Sequence, residues 1–202
     1  MAYSDFSLKK AKSDFSIRTV ENQSLFPWIE AAPPISEQLQ ATLKRNAPLA
    51  LAINTEKARS ELIIINILLE VKDRLADQIS LFSGIDFNVD KDKGLAGYCD
   101  YLISRSPEQM YLDFPVIAIV EAKNENIVAG LGQCVAEMLA ARIFNEREGH
   151  AVTCVYGAVT TGDEWRFLKL EEGLAYIDAD AYYLSDLNKI VGILTAMAAI
   201  QA

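Results

Sequence analysis

Two acids and one amine, Asp100, Glu121 and Lys123, are the residues of this 202-residue chain whose types and spacing could do chemistry. Glu121 and Lys123 close the stretch Val116 to Asn124, Val-Ile-Ala-Ile-Val-Glu-Ala-Lys-Asn, which reads as a buried strand until it acquires two opposite charges. Period-two alternation puts Val116, Ala118, Val120 and Ala122 on one side and Ile117, Ile119, Glu121 and Lys123 on the other. Both faces begin apolar, so a central strand covered on each side is predicted. Glu121 and Lys123 then emerge together at the rim of dry core, where charges are costly unless they are paired or bind something charged. Asp100 lies inside a second strand-like run, Ala96 to Ser104, on the face of Tyr98 and Leu102, and aspartate is disfavoured in strand interiors. His150 is the single histidine, and Cys99, Cys134 and Cys154 share no metal-type spacing. The residues therefore do not support a Cys/His zinc site or a histidine triad, and hydrolysis would have to run on carboxylates, lysine and a hard metal.

Several elements are needed to bring these groups together. A short helix is expected from a Ser36 cap to about Arg45, with Pro48 ending or separating it, and a second from the caps Asn54 and Thr55 to roughly Ile79. Its middle, Leu62 to Leu69, is apolar nearly all round and should be buried. Glu61 is then expected to point its carboxylate inward or along the core's rim. Strands are predicted over Ser83 to Asp90 and Ala96 to Ser104, joined by the polar turn Asp90 to Gly94. After the Val116 strand, Gly130 to Asn145 reads as a helix with Gln133, Ala136, Glu137, Ala140 and Phe144 on one stripe. Val152 to Thr160 and Trp165 to Leu170 read as strands about the turn Thr161 to Glu164. Ser185 to Ile200 should be an amphipathic helix, whose Ala-Met-Ala-Ala-Ile run could close the core or build a homodimer. Residues 1 to 35 carry little pattern beyond aromatics and Pro33-Pro34. The order describes an α/β fold with a mixed central sheet flanked by helices. It is read as a single domain over residues 1–202, with a core at 54–170, an N-terminal extension at 1–50 and a C-terminal one at 171–202.

Composition sets the outer bounds. At 51% hydrophobic and 23% charged the chain is ordinary globular material with enough length for one sizeable core. No apolar run is expected to span a membrane and no signal-peptide pattern opens the chain, so a cytoplasmic setting is expected, with the cysteines as reduced core residues. Residues 1–60 carry eight Lys/Arg against six Asp/Glu, and the remainder eleven against twenty-two, for a net charge of −9. Such a surface does not draw phosphate backbones at long range, which weighs against strong non-specific duplex binding by the isolated chain.

Asp100, the following Glu121-Ala122-Lys123, a preceding helix bearing Glu61 and a following helix bearing Gln133 together resemble the PD-(D/E)XK nuclease superfamily. Thr160 to Phe167 resembles the strand pair after the catalytic core in the N-terminal nuclease domains of type I restriction motor subunits. The likeness spans roughly Glu56 to Leu170; Cys99 stands where the family's name has proline. The resemblance implies a restriction-endonuclease-like αβββαβ core and a Mg²⁺- (or Mn²⁺-) dependent nuclease. Asp100, Glu121 and the Ala122 carbonyl would hold the metal, and Lys123 would position or help deprotonate the attacking water. Glu61 would reach the metal through water or support a second ion, with Glu56 as its rival, and Gln133 would orient Lys123 or contact substrate. The implied partner is nucleic acid, with DNA expected in restriction or repair, and with binding aided by the basic N-terminal segment, a second copy or another subunit.

Each residue has a structural alternative: an ion pair for Glu121 and Lys123, a satisfied hydrogen-bond network for Asp100, surface positions for Glu61 and Gln133, and core for Trp165. At the level of function the alternative is a non-catalytic binding or assembly module that keeps the nuclease fold. A weaker one is hydrolysis of another substrate, such as a sugar, by paired carboxylates.

Overall fold

The computed structural model describes residues 1–29, 33–150 and 152–199. Among the described residues, eight strands form one mixed sheet: β1 Arg18–Val20, β2 Ser80–Asp86, β3 Tyr98–Ser104, β4 Val116–Ala122, β5 Cys154–Thr160, β6 Glu164–Glu171, β7 Leu174–Ile177 and β8 Tyr182–Tyr183. Their order across the sheet is β1-β7-β6-β5-β4-β3-β2, with β8 beside β6. The β4–β5 and β1–β7 pairs are parallel and the others antiparallel. The α/β class and the mixed, helix-flanked sheet expected from the sequence are thus present.

The helices are α1 Leu8–Phe15, α2 Glu37–Ile53, α3 Glu56–Arg59, α4 Ile65–Leu75, α5 Ile127–Arg147 and α6 Leu187–Ala199. On one side of the sheet, α2, α4 and α6 cover Ala118, Val120, Ala122 and Phe167; on the other, α1 and α5 cover Ile119, Val155, Val159 and Leu168. Every residue of β4 is buried, as a strand covered on both faces requires. Its alternation breaks once: Ile103 pairs with Ala118 but Ser104 with Val116, so Ile117 joins Ala118 on the α2/α4/α6 side. From Ala118 onward the alternation holds and sends Glu121 toward α5.

Several boundaries differ from the sequence reading. Pro48 does not end α2, which continues to Ile53. Its buried stripe Leu39, Leu43, Ala47 and Ala50 runs through the proline, while Pro48 itself is exposed, so water can reach the Lys44 carbonyl that the missing N–H leaves free. Asn54 is the left-handed C-cap of α2 rather than an N-cap, and Thr55 alone caps α3 by accepting from the Ala58 N–H at 3.2 Å. The helix beyond Thr55 is not uniform, because Ser60–Ile64 forms a π turn between α3 and α4. Leu69 within its apolar middle is 46% exposed, so that middle is not buried all round. Strand β2 covers Ser80–Asp86 rather than reaching Asp90. The terminal helix begins at Leu187; its expected end at Ile200 lies outside the described residues.

Both flanks of the predicted core join its layers. Strand β1 pairs with β7, β7 with β6, and α1 packs on α5. Helix α5 is long and apolar enough by composition to cross a membrane, contrary to the expectation of no such run, but 67% of that window is buried inside the protein. The three cysteines are buried and free, and Trp165 is core.

Candidate active site

Strand β4 ends where the parallel partner β5 also ends, and the two stay joined one residue further through Lys123 N–H donating to the Thr160 carbonyl at 2.7 Å. Residues at this end are held by sheet hydrogen bonds up to the position where charge appears. Asn126 then caps α5, accepting from the Ala129 N–H at 3.1 Å, and turns the chain back over Glu121.

Glu121 is 1% exposed and paired with Lys123, whose ammonium donates to its Oε1. The second oxygen, Oε2, is buried without a hydrogen-bond partner. Lys123 Nζ also donates to Gln133 Oε1 at 3.2 Å, and Gln133 Nε2 donates to Glu137 Oε1 at 3.0 Å. Glu137 is fully buried, and its Oε2 too is unpartnered. Gly130 makes room for the lysine stem: a Cβ there would lie 3.0 Å from Lys123 Cγ and 2.6 Å from Val159 Cγ1.

Asp100 approaches from the other side. Gly84, at φ +62°, stands opposite it, between the Ser83–Tyr101 and Ile85–Cys99 pairs. A side chain is strained at that φ, which makes glycine the fitting residue there. Around this point the strict alternation of β3 fails: Cys99 and Leu102 pack on the α5 side, Tyr101 on the α4 side. Cys99 and Leu102 thus pack on the same side although simple period-two spacing would put them on opposite faces. Asp100 Oδ2 accepts from the Ala122 N–H at 2.8 Å, one residue beyond Glu121. It opens into a cavity of about 450 Å³ lined by Glu56, Lys57, Ser60, Glu61, Tyr101 and Ala122 among others. Glu121 lies behind this wall, so the two acids meet across the backbone of Ala122 rather than side by side in one open pocket.

The electrostatics agree with that proximity. The Glu121 carboxyl is pushed up to about 8: burial raises it most, the charge of Asp100 adds to that, and Lys123 opposes both. For Lys123, burial disfavours the ammonium, but Glu121 outweighs burial and holds it above the ordinary lysine value. The pair thus keeps lysine charged while glutamate holds a proton unusually well. Burial also holds Glu137 well above the carboxylate range, with Glu121 adding to the effect.

Glu61 does not point inward. Its side chain is 64% exposed and pairs with Lys57 at 3.6 Å. The π turn is the cause, because Ile65 N–H bonds to Ser60 across five residues and rotates Glu61 away from the azimuth a regular helix would give it. Glu56 also lines the cavity, and its charge reaches both Glu121 and Lys123. Glu137 was visible in the sequence as an acid on the buried stripe four residues after Gln133, but spacing alone assigns it no role.

Comparison of the chain with models of known protein families finds no match, and comparison with curated proteins finds none either.

Among the described residues no group of three Asp, Glu, His or Cys side chains is gathered to hold a metal. What the site offers a hard cation is a pair: the Asp100 carboxylate and the unpartnered buried Oε2 of Glu121. Oxygen donors suit Mg²⁺ or Mn²⁺, and magnesium commonly takes only one or two carboxylates while keeping its waters. By donor type the residues fit such an ion.

Proposed function

We propose that the protein is a divalent-metal-dependent nuclease that hydrolyses phosphodiester bonds, with DNA as the substrate class and restriction or repair as the setting. The observation that carries this reading is the meeting of Asp100, Glu121 and Lys123 at the end of β4, with Glu121 Oε2 left buried and unpaired behind the wall of the cavity that Asp100 and Ala122 line. A carboxylate oxygen in that position is costly unless something positive completes it. The resemblance to the PD-(D/E)XK superfamily supports the same assignment.

In this reading Asp100, Glu121 and the Ala122 carbonyl hold the ion, which when bound supplies charge neutralisation and an acidified water. Lys123, held by Glu121 and Gln133, places a positive charge where phosphoryl oxygen becomes more negative and orders the attacking water. Glu56 and Glu61 line the approach and would hold water or a second ion; Lys57 offers a cation at the same rim. Gln133 keeps the amine in place when Glu121 turns to the metal. A cytoplasmic setting belongs to this reading and is supported by three buried free thiols. A partner subunit or second copy would supply the basic surface that the net charge of −9 lacks.

The second reading is a nuclease-fold binding or assembly module in which Glu121 and Lys123 are an inert ion pair. The acidic surface and the absence of a three-ligand cluster among the described residues favour it. Incubation of single- and double-stranded DNA and RNA with Mg²⁺ or Mn²⁺, alongside Asp100→Ala and Lys123→Ala, separates the two. Metal-dependent cleavage lost in both variants supports the nuclease; no cleavage, and no heat of metal binding, supports the module.

A further inference from the structure

Helix α5 places three unusual residues on one stripe facing Lys123. Gly130, Gln133 and Glu137 follow the i, i+3, i+7 spacing of a single helical face. Gly130 admits the lysine stem, Gln133 accepts from the ammonium, and Glu137 accepts from Gln133. Glu137 is the costly member. It is fully buried, has one unpartnered oxygen, and has the apolar Ala136 and Met138 as chain neighbours, also fully buried. A methionine would fill the same volume without desolvating a carboxyl group. The single hydrogen bond it makes therefore needs a purpose beyond packing.

The chemistry of an amide supplies one. An ammonium only donates, so Gln133 must turn its oxygen toward Lys123, and its NH₂ then faces the opposite way. An acceptor on that opposite side selects this orientation over the flipped one, in which NH₂ would face the ammonium. We infer that Glu137 is a positioning residue: its buried carboxyl fixes the Gln133 amide with the oxygen toward Lys123, and so holds the amine at Glu121. Burial keeps Glu137 a neutral acid more readily than a free carboxyl, and the carbonyl oxygen of the neutral form still accepts from the Gln133 NH₂, though less strongly than a carboxylate would. The importance of the clamp to catalysis rests on the nuclease reading, since Lys123 needs Gln133 most when Glu121 engages a cation.

The test compares Glu137→Gln, which keeps volume and an acceptor, with Glu137→Met, which keeps volume alone. Three readouts are taken on the full chain: kcat and KM of Mg²⁺-dependent DNA cleavage, urea unfolding, and the rate of Lys123 acetylation by acetic anhydride, read by mass spectrometry. E137M is expected to lose on the order of ten- to a hundredfold in kcat with KM unchanged, and to acetylate faster at Lys123. E137Q is expected to stay near the parent in both. Wild-type kcat and acetylation in E137M, or E137Q as impaired as E137M, overturns the inference. If the parent neither cleaves DNA nor binds Mg²⁺, the nuclease reading falls by itself and the acetylation comparison alone decides the clamp. Should E137M fail to fold, Gln133→Met takes its place: acetylation faster than the parent, and no longer sensitive to E137Q, supports the clamp, while an unchanged rate overturns it.

Discussion

Replacing Lys123 with methionine keeps most of the side-chain volume and removes the cation that is paired with Glu121. The lysine side chain is 22% exposed and Glu121 1%, so the pair is screened far less than a surface bridge. Breaking a buried pair from one side costs about 3–5 kcal/mol when the remaining charge has nowhere to go. Glu121 has an escape, because it can take up a proton, and the cost must therefore depend on pH. In the parent protein its folded value is about 8 against an ordinary carboxyl value of 4.5. Between those values the folded state holds a proton that the unfolded chain has released. Stability from this group is thus fully present at the acid end and is lost as pH rises toward 8. Without Lys123 the folded value lies higher still, and the loss continues past 8 at up to about 1.4 kcal/mol per pH unit. Urea unfolding of parent and Lys123→Met should give nearly equal stabilities near pH 5.5, with a gap opening above pH 8 to about 1.4 kcal/mol near pH 9. Adding Glu121→Gln to the variant should flatten the dependence. A gap that stays constant across the range, or closes at high pH, would refute the argument that a buried, partly protonated glutamate is what Lys123 stabilises.

Three other outcomes are expected. Gly130→Ala should lower stability by about 1–3 kcal/mol through overpacking, since its Cβ would lie 2.6 Å from Val159 Cγ1; a thermal melt equal to the parent's would mean that Val159 and Lys123 shift freely. Pro48→Ala should raise stability by about 1–3 kcal/mol, because an exposed site inside α2 gains an N–H for the Lys44 carbonyl; a lower melting temperature contradicts this. Mg²⁺ binding near pH 7 should release protons from Glu121 and tighten as pH rises, because a ligand must be deprotonated to bind. Calorimetry in buffers of different ionisation enthalpy reads the release, and a heat that does not vary with buffer argues against Glu121 as a ligand.

The candidate site was legible in part. Glu121 and Lys123 could be found from β4 because an apolar run covered on both faces leaves few places where charge is tolerated, and the run itself marks that place. Asp100 stood out for the same reason, an acid inside a strand. For Glu61 the inward alternative failed and the rim one held, since it is largely exposed yet lines the cavity; a π turn leaves the same apolar composition as a regular helix while changing which face each residue takes. Pro48 misled because proline's local penalty is visible in sequence, whereas the packing of Leu39, Leu43 and Ala47 that outweighs it is not. Strands β1, β7 and β8 are short, and β1 pairs with β7 from the far end of the chain, so their sequences carried little signal of their own.

The sequence by itself determined the α/β class, the central buried strand and the identity of the charged residues at its end. Those follow from periodicity and from the cost of burying charge, both of which act locally along the chain. Only the tertiary structure decided that Asp100 meets Glu121 across the Ala122 backbone, that Glu56 as well as Glu61 faces the cavity, and that Glu137 reaches Lys123 through Gln133. Each depends on how a helix or a neighbouring strand is rotated when it packs, and that rotation is set by contacts between residues far apart in the chain.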